Sequence, residues 1–154
     1  MFTPIPAQER EALLASLGPL PLSGPAWPGW VKGAGWAIVA LLGLQIIVTA
    51  ARVPPQSLDA VSAGVVVFGF VGLAVVARAM QKSVTTISAD GLSQTWLTRR
   101  QVAWDEIHYA KFVPMLFSKR LIVFRRRGRP LVLQAGTPEL QAAFARIALA
   151  YRRR

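Results

Sequence analysis

The sequence predicts a membrane α+β protein, with a two-helix transmembrane hairpin followed by a small antiparallel β domain and a C-terminal amphipathic helix. Three observations carry that prediction. Two uncharged apolar runs, residues 33–51 and 60–77, are each long enough to span a bilayer. After Lys82 the apolar spacing shortens from helical to alternating and acquires turn signals. The net charge of +11 lies wholly in the second half: Met1 to Ala77 holds three bases against three acids, and Arg78 to Arg154 holds fifteen against four. A hydrophobic fraction of 53% also exceeds what one soluble core requires, so part of the chain is expected to face lipid.

Residues 1–31 are expected to be a short amphipathic helix and a linker. The opening MFTPIPAQEREALLASLG carries acids and no leading basic region, unlike a secretory signal. Pro6 to Leu17 can place Leu13, Leu14 and Leu17 on one side of a helix. Gly18 to Gly29, GPLPLSGPAWPG, reads as a proline and glycine linker. Whether the helix lies on a membrane, docks on the basic domain or is an idle leader stays open.

Residues 32–81 are expected to form the hairpin. At about 1.5 Å per residue, spans of about 33–51 and 60–77 reach roughly 27 to 28 Å, close to a hydrocarbon core of about 30 Å. The connection from Arg52 to Asp59 is short and holds Pro54 and Pro55, which cannot continue a helix, so the two helices must pack side by side. Gly35, Gly43, Gly64, Gly69 and Gly72 allow close backbone approach, within the hairpin or between copies, with the internal use favoured. Gln45, the one strongly polar side chain in either span, is expected to satisfy itself across the helix pair. No Asp, Glu, Lys, Arg or His lies within the spans, which argues against a channel or transporter. Bases follow the second span from Arg78 and Lys82 onward, so positive-inside bias puts both termini in the cytoplasm. Trp27, Trp30 and Trp36 fall around the start of the first span, at the expected headgroup level.

Residues 82–154 are expected to be the cytoplasmic β domain. Ser83 to Ser88 is rich in β-branched residues, Asp90-Gly91 signals a turn, and Leu92 to Thr98 reads as the returning strand. A turn at Arg99-Arg100 leads to Gln101–Trp104, Asp105-Glu106 breaks the run, and Ile107 to Val113 resumes it until Pro114. Leu121 to Phe124 and Leu131 to Gln134 flank Arg125–Pro130, a hairpin in which Gly128 supplies the turn conformation. Thr137 can cap a final helix, Pro138 suits its first position, Glu139 complements its dipole, and Leu140, Phe144, Ile147 and Tyr151 share one face. Such a stripe can close an open mouth of the sheet, which steadies a domain of this small size.

The order of Ala89-Asp-Gly-Leu92, Val102-Ala-Trp-Asp-Glu-Ile107, Leu121-Ile-Val-Phe124, Gly128, Leu131-Val-Leu133 and the terminal helix resembles the bacterial pleckstrin-homology-like domains, which often follow a two-helix membrane hairpin. The similarity covers roughly Ser83 to Tyr151 as a domain and Lys32 to Tyr151 as an architecture, and its most telling piece is Trp104-Asp-Glu-Ile107. It implies a binding or scaffolding module at a bacterial inner membrane, with no enzyme activity, no cofactor and no ligand general to the family. The parent fold has seven strands and six are legible here. The seventh is either absent or within Lys82–Ser88 or Pro114–Arg120.

Catalytic and metal chemistry find little support. Cysteine is absent, His108 is the single histidine, and the adjacent Asp105 and Glu106 point in different directions on a strand or turn. The bases carry the functional signal: Arg99, Arg100, Lys119, Arg120, Arg125, Arg126, Arg127, Arg129, Arg152, Arg153 and Arg154 are the candidate anionic-surface residues. They suit anionic lipid headgroups, a membrane protein partner, or simply solubility and topology. Nucleic acid is disfavoured, because Trp96, Trp104, Phe112 and Phe124 read as core and not as a stacking platform. The leading expectation is a non-enzymatic inner-membrane binding module. The alternative is an accessory or assembly subunit of a larger membrane complex.

Overall fold

Both uncharged runs lack anything that would interrupt a helix, and in the computed structural model, which describes residues 5–152, both are helical. They belong to a unit of their own, Gly29–Gln81, while Met1–Pro28 and Lys82–Arg154 together form a second unit.

In the first unit, helix α2 spans Gly29–Arg52 and α3 spans Ala60–Lys82. Both are long and apolar enough to cross a membrane. Their apolar side chains are mostly exposed, with Phe68 at 83% and Val61 at 73%, which is not how the core helix of a soluble protein is arranged. A 3-10 turn, Pro55–Ser57, connects them. Asp59 then caps α3, its Oδ2 accepting from the amide and the hydroxyl of Ser62 at 2.9 Å each. The backbone amide of Ser62, and then its hydroxyl, hold the Asp59 carboxyl below its ordinary range. Only Gly43 makes a close helix contact, where a Cβ would lie 3.2 Å from the Phe70 ring; Gly35, Gly64, Gly69 and Gly72 would meet nothing within 4 Å. The internal use expected of these glycines is therefore corrected for four of the five. Gln45 likewise lies on the exposed surface of α2.

In the second unit, helix α1 (Ala7–Ser16) precedes a meander of strands β1 (Leu22–Pro25), β2 (Val84–Ile87), β3 (Gly91–Thr95) and β4 (Arg99–Ala103). A second antiparallel sheet follows, with β5 (Ile107–Pro114), β6 (Lys119–Arg125) and β7 (Leu131–Ala135), and helix α4 (Pro138–Ala150) ends the domain. Seven strands are present among the described residues. The seventh lies in neither expected stretch but in the segment read as a linker, where Leu22 to Pro25 pair antiparallel with Ile87 to Val84. The domain is therefore discontinuous, and α2 and α3 are an insertion in the connection between β1 and β2. Composition hid β1: four residues with a proline and a glycine show no period, and their partner lies some sixty residues away. The turn expected at Arg99-Arg100 falls instead at Trp96–Thr98, where the Trp96 amide donates to the Thr98 carbonyl at 3.3 Å, and both arginines are already in β4.

Turn chemistry explains the remaining corners. A Cβ at Gly91 would collide with the Val102 carbonyl oxygen, so β4 can close on β3 only over a glycine. Gly128 has φ +91°, the left-handed conformation that the β6–β7 turn needs. At the β4–β5 corner, Trp104 begins a 3-10 turn and buries its ring, its Nε1 donating to Ser88 O at 2.9 Å.

The core gathers Ile87, Leu92, Leu121, Val123 and Leu133 from the two sheets under Leu140, Phe144 and Ile147 of α4, all fully buried. Helix α4 starts as expected, with Thr137 Oγ1 accepting from the Leu140 amide at 3.3 Å. Helix α1 docks on this domain: Leu13 and Leu17 join the core, and Arg146 of α4 donates to the Ser16 carbonyl. That settles among the described residues where the N-terminal helix lies. A buried polar clasp ties the sheets together. Gln94 Nε2 donates to Gln134 Oε1 at 2.7 Å, Gln134 N–H donates to Gln94 Oε1 at 3.0 Å, and the Thr85 hydroxyl donates to Gln134 O at 2.6 Å.

Candidate functional site

Topology gives the sheet domain two ends of different character. The register pairs Pro25 with Val84 and Val84 with Thr95, so the last residue of β1, the first of β2 and the β3–β4 turn share one end of the first sheet. That is the end at which the chain leaves for α2 and returns from α3. The second sheet has the same polarity there. Gly136, just past β7, donates its amide to Pro25 O at 2.9 Å, and its neighbour Ala135 pairs with Lys119 at the start of β6. The β3–β4 turn and the β5–β6 turn therefore flank the residues from which the chain departs.

Four of the candidate bases lie at this exit end: Arg99 and Arg100 at the start of β4, Lys119 and Arg120 at the start of β6. Arg99 and Lys119 are exposed. Arg100 is half-buried and structural, its Nη1 donating to Val132 O at 3.0 Å and its guanidinium lying 5.6 Å from the centre of the Trp96 ring. Arg120 is half-buried and donates to the Ser118 hydroxyl at 3.2 Å.

A second group sits at the opposite end. Strand β6 has seven residues, so about 20 Å of strand separates Lys119 from Arg125. There Arg125 folds back, Nε and Nη2 donating to Arg129 O at 3.2 and 3.0 Å, which closes the turn. Arg126, Arg127 and Arg129 are exposed in that turn, and the Arg126 amide donates to Glu106 O at 3.0 Å. The local acids Asp105 and Glu106 occupy this far end too, in the 3-10 turn Trp104–Glu106. The eleven candidates are thus not one cluster. Arg152 follows α4 beside β5, and Arg153 and Arg154 lie outside the described residues.

Arg152 lines a groove of about 440 Å³ between β5 and α4, together with Tyr109, Lys111, Phe112, Ala148 and Leu149. Above it, the chain is pinned by Tyr151: its hydroxyl donates to Trp104 O at 3.1 Å, its ring stacks on Trp104 at 6.3 Å, and its own carbonyl accepts from the Ala110 amide. Burial pushes the Tyr151 phenol up to about 12.

Two features at the exit end escaped sequence reasoning. Trp27 packs against Trp96 with ring centres 6.2 Å apart. Among the described residues these two indole nitrogens are the buried side-chain donors with no hydrogen-bond partner. The β5–β6 turn, closed by Met115 N–H donating to Ser118 O at 3.2 Å, exposes three consecutive apolar side chains: Met115 at 49%, Leu116 at 86% and Phe117 at 58%. The signal was present as an unbroken apolar triplet beside Pro114, but it reads equally well as a strand. Comparison of the chain with protein-family models, with curated proteins and with solved structures finds no match.

Proposed function

We propose that this chain is an integral membrane protein with two spans, and that its sheet domain is a pleckstrin-homology-like, non-catalytic module held at the cytoplasmic face of a bacterial inner membrane. There its exit end meets anionic lipid headgroups. The observation that carries the reading is the insertion of α2 and α3 between β1 and β2. Three residues separate β1 from α2, and Ser83 alone separates α3 from β2. If the long helices are in lipid, the domain is tied to the surface at two adjacent points and its exit end cannot stray from it. The excess of bases after Arg78 supports the cytoplasmic side. Seven strands in two antiparallel sheets with a C-terminal helix, and a buried Trp104 at the Trp-Asp-Glu-Ile corner, support the fold reading.

Magnitudes suit a tethered module. Each base near an anionic surface contributes about 1 kcal/mol, so Arg99, Lys119 and Arg120 together contribute roughly 3 kcal/mol. That is weak for a free domain and enough to bias the orientation of a tethered one. The test uses the full chain reconstituted in nanodiscs. Amide exchange in residues 96–100 and 115–120 is expected to slow when anionic lipid replaces zwitterionic lipid, and to recover in high salt as screening predicts. Identical exchange in both lipids overturns the lipid assignment, and release of the chain from membranes by alkaline carbonate overturns the spanning assignment.

A second reading, an accessory or assembly subunit of a membrane complex, is favoured by Gly35, Gly64, Gly69 and Gly72, which face open space and offer close-approach surfaces to other helices. A stoichiometric membrane partner copurifying in mild detergent, lost on Gly69→Leu, supports that reading; purification of the chain alone supports the free-standing module.

A further inference from the structure

The β5–β6 turn is the feature that the headgroup reading does not explain. Leu116 is 86% exposed between Met115 at 49% and Phe117 at 58%, and a contiguous exposed apolar tip of this kind marks an interaction surface. Their position restricts what covers them. Lys119 and Arg120 stand immediately behind the tip, paired with Pro114 and Val113, so the apolar cap is backed by positive charge. Ala135, the partner of Lys119, adjoins Gly136, which is hydrogen-bonded to Pro25. The tip therefore projects from the end of the domain where the chain passes into α2 and α3, and the arginine-rich β6–β7 turn, with no such apolar cap, lies at the other end. An apolar tip in front of a basic base is the arrangement of an interfacial anchor: the cap enters the boundary between headgroups and acyl chains, and the bases remain among anionic headgroups.

We infer that Met115, Leu116 and Phe117 insert into the interfacial layer of the same bilayer that holds α2 and α3, making the β5–β6 turn a third membrane contact that fixes the orientation of the sheet domain. This rests on the spanning reading above and adds to it the depth and the residues of contact.

The chain has no cysteine, so single labels can be placed on the intact protein. Leu116→Cys, Arg127→Cys and Ile47→Cys are each labelled with a polarity-sensitive fluorophore, and the full chain is reconstituted in vesicles containing anionic lipid. The label at Leu116→Cys is expected to be shifted to the blue, quenched by nitroxide lipid, and about tenfold less accessible to iodide than that at Arg127→Cys, as burial by about 5–10 Å requires. The label at Ile47→Cys reports the span itself. Iodide reaching Leu116→Cys as freely as Arg127→Cys, with Ile47→Cys still shielded, overturns the anchor alone. Iodide reaching Ile47→Cys overturns the spanning reading together with the anchor. Shielding of Leu116→Cys from iodide without quenching by nitroxide lipid marks contact with a second copy of the chain and also overturns the anchor.

Discussion

Gly136 and Pro25 meet backbone to backbone: the Gly136 amide donates to the Pro25 carbonyl at 2.9 Å, and a Cβ on Gly136 would sit 2.5 Å from that same oxygen. The contact joins the strand that precedes α2 to the turn that precedes α4. It also explains how a four-residue strand separated from its sheet by two long helices is held in place.

Gly136→Ala should therefore destabilise the sheet domain by roughly 2–4 kcal/mol, since the clash is with backbone on the Pro25 and Trp27 side and cannot be relieved by a rotamer. Thermal unfolding of the full chain in detergent, followed by near-ultraviolet circular dichroism, measures this. Gly18→Ala, with open space around the Cβ, differs only through its left-handed backbone and should cost less, about 1 kcal/mol.

The discontinuity makes a sharper prediction. A chain beginning at Ser83 lacks β1 and α1, so it exposes the edge of β2 and removes Leu13 and Leu17 from the core. It should aggregate or bind hydrophobic dyes. Joining 1–28 directly to 82–154 leaves five residues between Pro25 and Val84, which face each other across the β1–β2 ladder, so a short hairpin loop replaces α2 and α3. That chain should be soluble and unfold cooperatively. Equal behaviour of the two chains in gel filtration and thermal melts would show that β1 contributes nothing to the fold.

These two cases also mark what the sequence could and could not disclose. The long helices, the β2–β3 and β6–β7 hairpins and α4 were legible because each carries its own signal: an uncharged run, Asp90-Gly91, Gly128, and the Thr137-Pro138 start ahead of an i, i+4 stripe. Strand β1 carries none. Its identity comes from pairing with Val84–Ile87 across the whole hairpin, and no local window contains both partners. The bases were legible as residues, but their division into two ends of β6 depends on register, as does the distinction between exposed Arg99 and Arg100, whose guanidinium is engaged by Val132 O and Trp96. The Met115–Phe117 tip was hidden for the opposite reason, because apolar residues between two strands read as more strand.

The Gln94–Gln134 clasp predicts an asymmetry. Gln94→Leu leaves both the Gln134 amide N–H and its Oε1 without their partner, whereas Gln134→Leu leaves only Gln94 Nε2 unmatched, since the backbone amide of residue 134 remains. Each buried unmatched group costs about 1–3 kcal/mol, so Gln94→Leu should be the more destabilising substitution. The double substitution to leucine should recover part of the loss. A double-mutant cycle from denaturant unfolding tests this, and equal single effects would mean that the pairing is not the stabilising element.

Tyr151 supplies a pH signature for the docking of α4. Burial raises its phenol from the usual value near 10 to about 12, so the folded state keeps a proton that the unfolded chain releases. Stability from this group is complete below about pH 10 and is lost as pH rises toward 12, because there the unfolded state binds fewer protons. Tyr109→Phe leaves Tyr151 as the only tyrosine, and its ionisation can then be followed by tyrosinate absorbance. The folded chain should titrate near 12, and its melting temperature should fall over the same interval. In the Tyr109→Phe/Tyr151→Phe chain the melting temperature at neutral pH should be lower, because the bond to Trp104 O is gone, while its decline between pH 10 and 12 should be shallower. A phenol titrating at 10 in the folded protein would mean that the Tyr151 hydroxyl is open to water and that α4 does not seal the Trp104 corner.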